Sequence, residues 1–173
     1  MSAYWRMFAG YNAWANALVY ERAAGLSDAD YRADRGAFFK SVHGTLNHLL
    51  VTDRMWMRRF TGEGEMVSQL DAILHESLAD LHAARIREDE RIMAFVAGLD
   101  AARLKAPLRY ESISKPARIE QELETALAHF FNHQTHHRGQ VHGLLTNLTG
   151  EGPVLDLVAY QRQAGLAQSR SVA

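Results

Sequence analysis

Apolar residues return every three to four positions through most of the chain, a period that predicts helices. From Ser2 to Ala24, Trp5, Phe8, Ala15, Leu18 and Val19 share one face, and Gly25 stands where that helix would stop. LSDADYRADRG then reads as a connection with one helical turn started by Ser27. Ser41 caps a second helix that runs to Phe60 and is stopped by TGEGE. A third, from Gln69 or Glu76 to Leu99, carries Leu74, Leu78, Leu81, Ile92 and Phe95 among alternating charges such as Arg85, Glu88 and Arg91, which reads as a solvated face. KAPLRYESISKP is β-prone and bounded by proline, so a long crossover loop or a short hairpin is expected there. The last long helix is predicted from Arg118 to about Asn147, closed by Thr149-Gly150, and VLDLVAYQRQ predicts a short C-terminal helix. No sustained strand alternation accompanies these segments. The expectation is an all-α fold: a four-helix bundle with a long crossover before its last long helix, forming a single domain over residues 1–173 with 167–173 as a frayed tail.

Composition narrows the chemistry. A chain of 173 residues, 47% hydrophobic and 23% charged, is long enough to bury roughly 70% of the surface it exposes when unfolded, without disulfides or a structural metal. It contains no cysteine, which excludes a thiolate metal site and a cysteine nucleophile, so any metal must be held by nitrogen and oxygen. A net charge of -1 gives no basic stripe, and neither nucleic acid nor an anionic membrane surface is expected as a partner. Asn12 and Asn16 interrupt the apolar N-terminal stretch, which has no cleavage motif and no run long enough to span a bilayer; a cytoplasmic location is the expectation. The unusual feature is nine histidines, five of them at positions 129, 133, 136, 137 and 142.

On a helical wheel with His133 at zero and about 100° per residue, Leu123, Phe130, Val141 and Leu148 define a buried direction near 60° to 80°. His137 lies about 40° round and His133 at zero, both at the edge of that face, whereas His129 and His136 turn toward solvent and His142 lies on the opposite flank. The wheel therefore selects His133 and His137, whose i, i+4 spacing lets two imidazoles converge on one ion. Two ligands do not make a tight site, and a third must come from elsewhere. The second helix offers His43 or His48, between which its wheel does not choose. His75 and His82, on or near the charged third helix, read as surface residues.

SVHGTLNHLLVTDRMW at 41–56 and FNHQTHHRGQVHGLL at 131–145 resemble the DinB/YfiT-like family, with YNAWAN similar to its opening signature and GPVLDLVAYQR to its closing one. The resemblance extends over most of the chain, and its most specific element is the N-H-x-x-x-H-R-G-Q string. It implies a four-helix bundle, usually a homodimer, that holds a divalent metal through three histidines. By position these are His48, His133 and His137, with His136 beside the motif but off the stripe. Gly139 would allow close helix approach and Arg138 would pair with a carboxylate.

Three neutral imidazoles leave an ion with an open position, the layout of a catalytic centre, and imidazole ligation puts zinc or nickel first, with iron or manganese after them. Such an ion activates water, polarises a carbonyl or holds an external thiolate. Relatives in the family are implicated in metal-dependent transfer of low-molecular-weight thiols, so the resemblance implies a hydrolase or thiol transferase acting on a small molecule. Asp53, Gln134, Asn12 and Asn16 are candidates to orient the imidazoles or a bound ligand. Gln134 stands where a zincin carries its glutamate, which argues against a peptidase of that type. The alternative is a non-catalytic, metal-binding stress protein that serves as a dimeric interaction module, with too little space at the metal for a substrate.

Overall fold

The computed structural model describes residues 2–67, 69–113 and 117–168. Its helices are α1 (Ser2–Ala23), α2 (Asp28–Arg32), α3 (Val42–Thr61), α4 (Leu78–Ala97), α5 (Ala101–Lys105), α6 (Leu123–Thr149) and α7 (Leu157–Gln163), with two strands, β1 (Pro107–Glu111) and β2 (Arg118–Glu122). The protein is thus mostly helical with one small sheet. Local chemistry sets the ends. Ser41 accepts from the Gly44 amide and Ser77 from the Asp80 amide, satisfying first-turn donors of α3 and α4. Gly62 closes α3 at φ 79°, a left-handed conformation that costs glycine little.

Four long helices make the core, α1 packing on α4 and α6, and α3 on the same two. One apolar cluster gathers Trp5, Ala9, Trp56, Phe60, Ile92 and Phe131; a second gathers Val19, Leu46, Leu50, Leu81, Val141 and Leu145. Along each helix the two clusters are separated by buried polar residues: Asn12 and Asn16 on α1, Asp53 on α3, Arg85 and Asp89 on α4, Gln134 and Arg138 on α6. The order in which each helix meets the clusters shows that α1 and α6 run one way and α3 and α4 the other.

That polarity relocates the expected crossover. Because α3 and α4 run in the same sense, residues 62–77 must return along the length of the fold before α4 starts at Leu78, whereas α4 and α6 are antiparallel and need no such return. The segment before α6 instead holds α5 and an antiparallel hairpin, Leu108 opposite Gln121 and Tyr110 opposite Ile119. Arg118–Glu122, expected as the start of the last helix, is strand β2, and α6 begins at Leu123. The tail expected at 167–173 lies outside the described residues from 169 onward.

The third helix also departs from expectation. Arg85 is only 2% exposed, and Glu88 and Asp89 are buried with it, so Arg85 and Glu88 lie on the inner stripe with Leu81, Ile92 and Val96, while Arg91 is partly exposed and Arg87 and Glu90 face solvent. Arg85 donates to Asp53 at 2.5 Å and meets Asp89 at 3.0 Å. Asn12 and Asn16 donate to Asp89 at 3.1 and 3.0 Å, and Arg138 donates to the side-chain oxygens of Asn12, Asn16 and Gln134. All four long helices therefore contribute to one buried polar layer.

Candidate metal centre

His48 on α3 and His133 and His137 on α6 meet on the seam between those helices, and one ring nitrogen from each lies within 4.8 Å of the others. The i, i+4 spacing places His133 and His137 on successive turns with ring centroids 4.3 Å apart, and helix packing brings His48 to 4.5 Å from His137 and 5.3 Å from His133. Of the two histidines left open on α3, His43 turns the other way, its Nε2 against the His75 carbonyl oxygen at 3.1 Å.

Hydrogen bonds fix which nitrogen of His48 and of His137 faces the centre. His48 Nδ1 lies 2.7 Å from the Leu70 carbonyl oxygen, which can only accept, so Nδ1 carries the proton and Nε2 keeps a lone pair. His137 Nδ1 lies 2.7 Å from Gln140 Oε1 and is the donor there, leaving its Nε2 lone pair free as well. Those two Nε2 atoms face each other at 3.2 Å. Two lone pairs at that distance repel unless a cation stands between them, and the separation matches two nitrogens bound to one ion at about 2.0–2.1 Å. The donor set fits a divalent ion held by imidazole, and the group can hold one.

The surroundings keep these rings neutral. Burial pushes the His48 imidazole down to about 4, against the pull of the Leu70 hydrogen bond. Burial, with His137 and His48 beside it, pushes His133 down to about 3. Burial also lowers His137, opposed by Gln140. Neutral imidazole is the form that binds metal. A stability prediction follows from the same shifts. The unfolded chain takes up these protons near its ordinary pKa of about 6.5, while the folded chain resists them to about 4 and 3. Stability of the metal-free fold should fall as pH drops from about 6.5 through that range. Denaturant midpoints measured across it should slope downward toward acid, and a flat profile in this interval would contradict the assignment.

Phe39 closes one side of the centre. Its ring stacks on His48 with centroids 3.6 Å apart and 17° between planes, and approaches His137 at 5.5 Å. Gly44 makes this possible, since a Cβ there would stand 2.2 Å from the Phe39 carbonyl oxygen. The other side opens into a cavity of about 310 Å³ bounded by His48, His133, His129, Trp56, Arg59 and Tyr110, among others.

The residues expected to support the imidazoles do otherwise. Asp53, Asn12, Asn16 and Gln134 all belong to the buried polar layer, and among the described residues none hydrogen-bonds the three rings. Asp53 pairs with Arg85 because α4 turns that arginine inward; Arg138 consequently meets amides in place of a carboxylate. Gly139 meets nothing within 4 Å at its Cβ position, so it serves no close helix approach. His75 and His82 are half-buried, not surface residues; His82 stacks on Tyr20 with centroids 4.8 Å apart. His129 lines the cavity, its ring 5.2 Å from Trp56, and His136 is exposed with Nε2 3.3 Å from Gln140 Nε2. The residues that do orient imidazoles are Gln140 and the backbone of Leu70. Gln140 was visible as the i+3 neighbour of His137; a carbonyl oxygen leaves no trace in sequence.

Comparison with known proteins gives the family. Protein DinB of Bacillus subtilis (strain 168) is 26% identical over 144 residues, covering 78% of this chain and 80% of that protein. The DinB family profile matches residues 1–170. With its helical fold and the His48, His133, His137 group already in place, the chain belongs to the DinB family.

Proposed function

We propose that this DinB-family protein is a divalent-metal enzyme acting on a small molecule, either a hydrolase or a thiol transferase, and that it is a cytoplasmic homodimer built as a four-helix bundle. No described helix is long and apolar enough to cross a membrane. The observation that carries the reading is the pair of facing Nε2 lone pairs of His48 and His137, each fixed by a hydrogen bond on the far side of its ring, with His133 beside them. His48, His133 and His137 would hold the ion, with zinc or nickel the first choices and iron or manganese after them. When bound, the ion supplies Lewis acidity to a carbonyl, water or thiol in the adjoining cavity.

The chain's own residues do the rest. Leu70 and Gln140 hold two imidazoles in the ligating tautomer, Phe39 excludes water from one side, and Trp56 and Tyr110 wall the open side. Because the protein contains no cysteine, a transferase would take its thiol as cosubstrate. The sulfur would bond to an electrophilic carbon as the leaving group departs, and the thiol proton would pass to solvent. A cavity of about 310 Å³ has room for several waters of about 30 Å³ each, which supports a substrate over a closed, non-catalytic site.

The test is turnover. Protein purified without an affinity tag and loaded with Zn²⁺ or Ni²⁺ is incubated with low-molecular-weight thiols and alkyl or aryl electrophiles, and separately with small esters and amides. Adduct formation or hydrolysis that disappears in His133→Ala supports the corresponding reading. Inactivity in both assays would favour the non-catalytic alternative.

A further inference from the structure

The cavity beside the imidazoles carries a cation that the chemistry above does not use. Arg59, near the end of α3, is half-buried, with its guanidinium carbon 4.5 Å from the Trp56 ring centroid and 4.4 Å from that of Tyr110. One Nη donates to the Glu111 carbonyl oxygen at 3.2 Å. By contrast, Arg22, Arg32, Arg35, Arg85, Arg91 and Arg109 each meet a carboxylate oxygen within 3.0 Å. Arg59 meets none among the described residues, and the residues outside them contain neither aspartate nor glutamate. Glu111, whose carbonyl takes the Arg59 hydrogen bond, turns its carboxylate to Arg118 at 3.5 Å. Burial lowers the Arg59 pKa, a cost to the cation that an incoming anion would offset.

The shape of the space gives this cation a role. With Phe39 against one side of His48, a molecule reaches the imidazoles from the cavity side, which runs from His48 and His133 to Trp56, Tyr110 and Arg59. It continues into a second cavity of about 530 Å³ that shares Met55, Arg59 and Tyr110. A molecule that extends from the centre along this joined space passes the guanidinium, which lines both cavities. The two aromatic rings lie against the guanidinium, and its one hydrogen bond, to the Glu111 carbonyl, leaves further N–H donors of the kind that bind a carboxylate.

We propose that Arg59 is the specificity-determining residue of this site, and that the small molecule it admits carries a carboxylate seated on the guanidinium while its reacting group lies at the His48–His133 end. The assignment of a reacting group rests on the metal reading; the carboxylate seat itself does not. The probe pair is 3-mercaptopropionate and its neutral amide, titrated by calorimetry into Co²⁺-loaded protein with the cobalt absorption bands followed in parallel. The acid should bind about tenfold more tightly than the amide in the unaltered protein, the size expected of a charge-assisted hydrogen bond. The ratio should fall to about one in Arg59→Ala and stay partly raised in Arg59→Lys, while cobalt uptake is unchanged in both. Equal binding of acid and amide, or a preference that survives in Arg59→Ala, would overturn the proposal. Should the protein take up no cobalt, the metal reading fails by itself. The same pair titrated into metal-free protein then decides the carboxylate seat: a preference for the acid that requires Arg59 supports it, and no preference removes it.

Discussion

Replacing His133 with alanine should weaken binding of Zn²⁺ or Ni²⁺ by more than about a hundredfold, since even loss of a group that only supports a ligand costs about ten- to a hundredfold. The measurement is competition against a chromophoric chelator, using tag-free protein. His133 reaches the centre from the cavity side and makes no hydrogen bond to the fold among the described residues, so the metal-free variant should melt within a few degrees of the parent. Gln140→Ala should show the graded version, about ten- to a hundredfold, because the His137 ring loses the acceptor at 2.7 Å that selects its tautomer. Gln140→Glu keeps an acceptor there and should recover most of the affinity. Undiminished metal affinity in His133→Ala would remove the three-histidine assignment, and an effect of Gln140→Ala as large as that of His133→Ala would mean that Gln140 does more than orient a ring.

The largest effect on stability is expected at Arg85. It is 2% exposed and bridges Asp53 and Asp89 in the centre of the fold, so Arg85→Met leaves two buried carboxylates without their cation. Breaking a buried pair from one side costs about 3–5 kcal/mol, and at about 2–4 °C per kcal/mol in a chain of this size the melting temperature should fall by roughly 6–20 °C. Asp53→Asn should cost less. Burial pushes the Asp53 carboxyl up against the pull of Arg85, with Asp89 and Glu88 adding to the rise, so a neutral side chain suits that position better than an uncompensated charge does. Equilibrium denaturation of the metal-free variants separates the two cases, and a loss below about 1 kcal/mol for Arg85→Met would show that the polar layer is not held together by this ion pair.

Much of this arrangement was legible in the order of residues, and the exceptions have physical causes. Helices α1 and α3 follow the apolar period, and the wheel on α6 singled out His133 and His137, because a face that meets other helices must be apolar and its edge is where an inward polar group can stand. The choice between His43 and His48 was not legible from the wheel, which describes one helix and says nothing of what packs on it; the family resemblance supplied His48, and the structure shows His43 turned to the His75 carbonyl. On α4 the alternation of sign concealed a stripe. Leu81, Arg85, Asp89, Ile92 and Val96 recur at helical spacing, but charges within such a stripe look solvated until a partner on another helix is seen. Arg118–Glu122 reads as the start of the last helix because Glu and Gln favour helix; pairing with Pro107–Glu111 overrides that preference.

The return segment between α3 and α4 touches the centre in an unusual way. His48 takes the carbonyl of Leu70, His43 and Asn47 take that of His75, and Asn47 Oδ1 accepts from the amides of Leu74 and His75. Every one of these contacts is made by main-chain atoms of the segment. What α3 requires there is a path of a given length and course, while the side chains of Leu70 and Leu74 line the cavity and pack on the core. Substitutions at the exposed Asp71 and Ile73 should therefore be tolerated where the loss or gain of one residue is not. A deletion would shift the carbonyl out of register with the His48 ring and release the tautomer on which the whole centre depends.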